Sequence, residues 1–132
     1  MKKMVCTVAL TLGMSLAASA LFAGPIADSA KAGMSEAREN LLALLDSTDK
    51  NDQAKRIEAI KAATAKVDGL VMANAEAFKS FNEVYSAFKA TRDGELVPMV
   101  LAGKKDEAKA IGKGIQAERF KKMMEILGTI AQ

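Results

Sequence analysis

The sequence has no histidine, no tryptophan, one cysteine, one tyrosine and two prolines in 132 residues. Without histidine, the common imidazole metal ligand, the default general base and the usual haem ligand are all missing. The lone cysteine, Cys6, supports neither an internal disulfide nor a CxxCH haem attachment. Di-iron centres of helical bundles rest on Glu-x-x-His pairs and fall with histidine. Two prolines, nine glycines and an apolar fraction of 50% exclude a disordered or collagen-like chain. Alternating β-branched runs are also lacking, and Ala, Lys, Glu, Leu and Met dominate, so an all-α fold is expected. The length allows one domain.

The amino terminus reads as an address. Lys2 and Lys3 precede an uncharged stretch over residues 4–23, and small residues crowd its end at Ala17, Ala18, Ser19 and Ala20. Basic start, apolar middle and small residues at −3 and −1 make a secretory signal, with cleavage after Ala20 or after Ala23. A run of about 20 apolar residues would also serve as an uncleaved anchor. Residues 1–23 are therefore expected to be a signal peptide or a membrane anchor, and both send residues 24–132, the helical bundle domain, into the periplasm. Cys6 lies too early in the segment for a lipoprotein cysteine. Without Lys2 and Lys3 the balance is 17 basic against 16 acidic residues, which offers no electrostatic case for nucleic acid.

In the remaining chain, two polar stretches read as turns. Residues 46–52, Asp-Ser-Thr-Asp-Lys-Asn-Asp, are rich in capping residues, and residues 102–106 place Gly103 as a stop before Asp106 as an N-cap. The first helix should begin near Pro25 and bury Ile26, Ala30, Gly33, Ala37, Leu41 and Leu44. The last should bury Ala108, Ile111, Ile115, Met123, Leu127 and Ile130, with Gly112 and Gly114 marking close helix approach. Between them Ile57, Ile60, Thr64, Val67, Val71, Asn74, Phe78, Phe81, Tyr85 and Phe88 keep a 3-4 spacing without a slip. Such a heptad seam signals bundle or coiled-coil packing. Two architectures satisfy it. A turn near residues 68–69 or 73–74 gives an antiparallel four-helix bundle, with Gly94 and Pro98 fraying or kinking its third helix. An unbroken helix over residues 52–101 gives a three-helix rod that dimerises, with Asn74 in the shared seam.

Several pieces together resemble the periplasmic four-helix-bundle sensor domain of methyl-accepting chemotaxis receptors. They are the basic and apolar start, the Arg38-containing helix over residues 38–46, the polar turn, the helix over residues 52–71, the aromatic helix carrying Phe78, Phe81, Tyr85, Phe88, Arg92 and Asp93, and the Gly103 stop before an Ala-containing last helix. The resemblance implies a non-enzymatic input domain that works in signal transduction by binding a small molecule or a helical partner. Such receptors continue into a second span and a long cytoplasmic coiled coil. Since this chain stops at Gln132, the kinship would make it a stand-alone or truncated input domain.

The residues themselves supply no catalytic apparatus. No Ser, Cys or Lys has a histidine partner. Asp46, Asp49 and Asp52 lack the glycine and final glutamate of a calcium loop, and read as helix caps. Met34, Met72, Met99, Met123 and Met124 are scattered over apolar positions as core filling. The chain is thus expected to be no enzyme and to carry no metal or cofactor. Asn74 and Tyr85 are the polar seam positions to watch. Register fixing by Asn74 is one reading. The other, which follows from the sensor resemblance, is a ligand pocket near Asn74 and Tyr85 with Arg38 or Arg92 at its mouth for a carboxylate. The expected partners are that ligand, a second copy of the chain or a helical protein, and a membrane only if the amino-terminal segment is retained. A structural or chaperone-like periplasmic protein without a ligand is the alternative.

Overall fold

A computed structural model describes residues 23–130 of the chain. The apolar segment expected as a signal or anchor lies outside the described residues, apart from Ala23, which begins the first helix. The described elements are α1 (Ala23–Asp46), α2 (Lys50–Ala73), α3 (Lys79–Thr91), a π-helical turn (Arg92–Leu96), α4 (Val97–Leu101), α5 (Lys105–Lys113) and α6 (Ile115–Ile130). They form four helical rods, because α3, the π turn and α4 run on as one and α5 and α6 are divided only at Gly114. Among the described residues there is no strand, and no helix is long and apolar enough to cross a membrane.

Short connections reverse the chain between rods, an arrangement compatible with an antiparallel four-helix bundle. Asp49 caps α2 by accepting from the Asn51 amide at 3.3 Å. The third rod ends in a Schellman arrangement. Gly103 takes a φ of 82°, its N–H meets the Val100 carbonyl at 3.0 Å, and the Lys104 N–H meets the Met99 carbonyl at 2.8 Å. Asp106, expected as the next cap, instead sits in the first turn of α5, where a negative charge favours the positive helix end.

The turn over residues 74–78 decides between the two architectures. α2 stops at Ala73, so the single helix over residues 52–101 and the three-helix rod built on it are not formed. Asn74 is the terminating residue, not a seam residue. Its backbone N–H bonds the Leu70 and Val71 carbonyls, and its Nδ2 donates to the Leu70 oxygen at 3.0 Å. The heptad spacing survives the turn because both halves of the seam line one core. Ile60, Thr64, Val67 and Val71 are buried from α2, and Phe78, Phe81, Tyr85 and Phe88 from the other side. Phe78 meets Phe81 edge-on at 5.6 Å between ring centres, and Phe81 meets Tyr85 at 5.1 Å.

α1 supplies the opposite wall through Ala27, Ala30, Met34, Ala37, Leu41, Leu44 and Leu45. Small residues let α1 and α2 approach closely: a Cβ on Gly33 would stand 2.7 Å from Val67 Cγ2. Between α2 and the third rod lies a groove walled by Ile57, Ile60, Val97 and Leu101, and it positions the site.

One expected inward residue is displaced. Ile115 is 45% exposed, while Gln116 is fully buried. The buried positions of the fourth rod run Ala108, Gly112, Gln116, Met123 and Leu127, so helical register and not side-chain polarity set the face. A Cβ on Gly112 would stand 2.6 Å from Leu45 Cδ1, which is the close approach expected there.

Candidate functional site

The site grows from a local conflict in the third rod. Pro98 has no N–H, and its ring would press on the carbonyl four residues earlier, at Gly94. The helix relieves this by widening: the Val97 N–H reaches back to the Arg92 carbonyl, five residues away, and residues 92–96 form the π turn. Gly94 lies inside that turn, so the kink expected from Gly94 and Pro98 takes this form.

Widening places Arg92 against α2. Its side chain is only 7% exposed. Nε and Nη2 donate to the two carboxylate oxygens of Asp93 at 2.8 and 3.1 Å, a forked pair, and Nη1 donates to Thr64 Oγ1 at 3.3 Å. Thr64 can accept because its own hydroxyl proton is directed at the Ile60 carbonyl, 2.9 Å away. The Tyr85 hydroxyl donates to the Thr64 carbonyl at 3.0 Å. Tyr85 and Arg92 therefore meet at one residue of α2. Burial pushes the Tyr85 phenol well above its ordinary pKa, and the nearby Asp68 carboxylate adds to the effect. Lys89 closes this layer, 2.8 Å from Asp68 and 4.3 Å from the centre of the Tyr85 ring.

Beside this layer runs a groove of about 350 Å³ between α2 and the π turn with α4. Ile57, Ile60, Val97 and Leu101 make its apolar walls, and Lys61, Arg92 and Asp93 contribute the charges. A shallower depression of about 330 Å³ lies on the other side of the Tyr85 layer, near Asp68, Met72 and Lys89. The groove pairs hydrophobic walls with a buried guanidinium, a combination suited to holding a small molecule with an anionic end.

The four candidate residues separate. Arg92 and Tyr85 come together at Thr64, with Arg92 on the groove and Tyr85 behind it. Asn74 sits at the α2–α3 turn. Arg38 faces the fourth rod, where its Nη1 donates to the Gly112 carbonyl at 2.9 Å and its guanidinium lies 5.7 Å from the Phe120 ring centre. The backbone at Gly114 departs from helical geometry, and Arg38 holds the rod just before that break.

Two groups escaped the sequence reading. Buried Gln116 donates to the Phe88 carbonyl at 2.9 Å and accepts from Arg119, which also bonds Thr91 Oγ1 at 2.6 Å. A repeated step of four from Ala108 and Gly112 reaches Gln116, whereas the alternating 3-4 register leads to Ile115. Nothing in the local pattern signals that Lys61 and Arg92 share a groove, because they are separated by a turn and 31 positions. Among the described residues no cluster of three or more His, Cys, Asp or Glu side chains could hold a metal ion.

No protein-family model, no curated protein and no solved structure matches this chain. The functional reading therefore rests on the groove and the residues around it.

Proposed function

We propose that this chain is an exported, non-enzymatic helical sensor domain that binds a small molecule in the groove between α2 and the third rod. The supporting observation is the π turn, which lies on an apolar groove together with the buried Arg92 guanidinium. π turns interrupting α-helices are frequent at functional sites. The resemblance to chemotaxis-receptor sensor domains points the same way. Occupation of the groove would shift the third rod against α2, a small helix displacement that a second copy or a helical partner reads as a discrete state. Export to the periplasm follows from the amino-terminal segment, and membrane attachment from its retention.

The test is a thermal-shift screen of the exported protein with organic acids, amino acids, aromatic acids and amines, alongside its mass and solution molecular weight. A ligand of the groove raises the melting temperature in a concentration-dependent way. If no compound class moves it, the structural or chaperone-like alternative replaces the sensor reading. Loss of residues 1–20 or 1–23 on export marks a cleaved signal, whereas the full 14.0 kDa in the membrane fraction marks an anchored domain.

A further inference from the structure

We infer that the ligand of the groove is a single-headed aliphatic carboxylate, and that the Asp93 carboxylate is a built-in stand-in for its head group. The inference rests on the groove being the ligand site. Its chemistry follows from the charge arrangement. Arg92 is nearly excluded from water, and its fork is satisfied by a neighbour whose own side chain is 60% exposed. A buried guanidinium stripped of its counter-ion is strongly unfavourable. An incoming carboxylate can take the fork from Asp93 like for like, and Asp93, already largely in water, turns outward without desolvation.

An incoming ammonium cannot do this. It would draw Asp93 away and leave Arg92 unpaired beside a second cation. Lys61 lies on the same groove, and its acidic partner among the described residues, Glu58, is a loose 3.9 Å away, so it can add to the attraction. The remaining walls are Ile57, Ile60, Val97 and Leu101, which have nothing to offer a second polar group and suit an alkyl chain. At about 30 Å³ per small group, the share of one water in the liquid, about 350 Å³ holds roughly twelve non-hydrogen atoms. Octanoate, with about ten, fits within it. Because Asp93 lies inside the π turn, exchanging it for a ligand couples head-group binding to the one segment of the third rod that is not α-helical.

The experiment is calorimetric titration of the full protein with octanoate, octanol and octylamine, and of its Asp93→Asn, Leu101→Glu, Leu101→Lys and Arg92→Gln variants with octanoate. Octanoate should bind, with octanol and octylamine at least tenfold weaker. Asp93→Asn removes the internal competitor and should tighten octanoate about two- to fivefold, the scale of a partly exposed ion pair. Arg92→Gln should lose binding. Should that buried substitution unfold the protein, Leu101→Glu and Leu101→Lys serve instead. Leu101 is 44% exposed, so both variants keep the fold, and only the acidic one should weaken octanoate tenfold or more.

Equal binding of octanol or octylamine would overturn the inference, as would unchanged or weaker octanoate binding by Asp93→Asn. If octanoate fails while another class in the thermal-shift screen succeeds, the carboxylate assignment falls and the groove remains a ligand site. If every compound fails, both fall.

Discussion

Tyr85 is the sole tyrosine and the chain has no tryptophan, so absorbance of its tyrosinate reports this one residue without interference. Its ring is fully buried between Phe81, Lys89 and α2, and its hydroxyl is committed to the Thr64 carbonyl. Burial and Asp68 raise the phenol pKa, while Arg92 opposes them weakly. In the unfolded chain the phenol returns to about 10. The sign is then fixed. A group whose folded pKa is raised contributes its full stability below pH 10 and loses it as pH rises, because only the unfolded state gains by ionising. With the folded phenol still neutral at pH 11, that gain is RT ln 11, or about 1.4 kcal/mol. Against it, Tyr85→Phe deletes one buried hydrogen bond, a loss of about 0.5–1.5 kcal/mol at neutral pH. Urea denaturation of both proteins at pH 8, 10 and 11 should therefore show the wild type ahead by about 1 kcal/mol at pH 8. Its lead should vanish or reverse near pH 11, since the variant has no phenol to ionise. Comparing the pair cancels the lysines, which titrate in both. A tyrosinate signal rising near pH 10 in the folded protein, or a constant gap between the two across this range, would refute the buried Tyr85–Thr64 arrangement.

Glycines give a paired test of packing. Gly33→Ala drives a Cβ to 2.7 Å from Val67 Cγ2 and 3.3 Å from the Ala63 carbonyl, so chemical denaturation should show a loss of about 1–2 kcal/mol after the helix-propensity gain is deducted. Gly69→Ala, whose Cβ meets nothing within 4 Å on the exposed side of α2, should stabilise by about 0.5–1 kcal/mol; equal effects at the two sites would contradict the close α1–α2 contact. Arg38→Ala strips the Gly112 carbonyl of its partner and should lower stability by about 1–2 kcal/mol in the same assay. Because Arg38 faces the fourth rod, the octanoate affinity of Arg38→Ala should match the wild type. A loss of binding there would return Arg38 to the ligand site that the sequence suggested.

Local and periodic features were fixed by the sequence alone. The missing strand pattern, the cap at Asp49, the stop at Gly103 and the seam from Ile57 to Phe88 depend on interactions within a few residues or on helical spacing, and spacing is written in one dimension. The same source also misled. An unbroken 3-4 register is equally satisfied by one long helix and by two antiparallel halves lining one core, so only the turn at residues 74–78 separates them. Ile115 looks apolar enough to be inside, yet the face of the fourth rod is set by its phase against Phe88 and Leu45, which brings Gln116 inward. The candidate site shows the divide most sharply. In the sequence Asn74 and Tyr85 stood together as polar seam positions, and Arg38 and Arg92 were interchangeable at the pocket mouth. Asn74 ends α2 through a carbonyl of its own helix, that of Leu70, whereas the tertiary structure spent Arg38 on the Gly112 carbonyl and left Arg92 on a groove with Lys61. The two arginine assignments depend on which carbonyls and cavities lie opposite each side chain after the rods have packed. Partners 21 to 74 positions apart, such as Tyr85 with Thr64 and Arg38 with Gly112, are chosen by the meeting of helix faces, which no local pattern encodes.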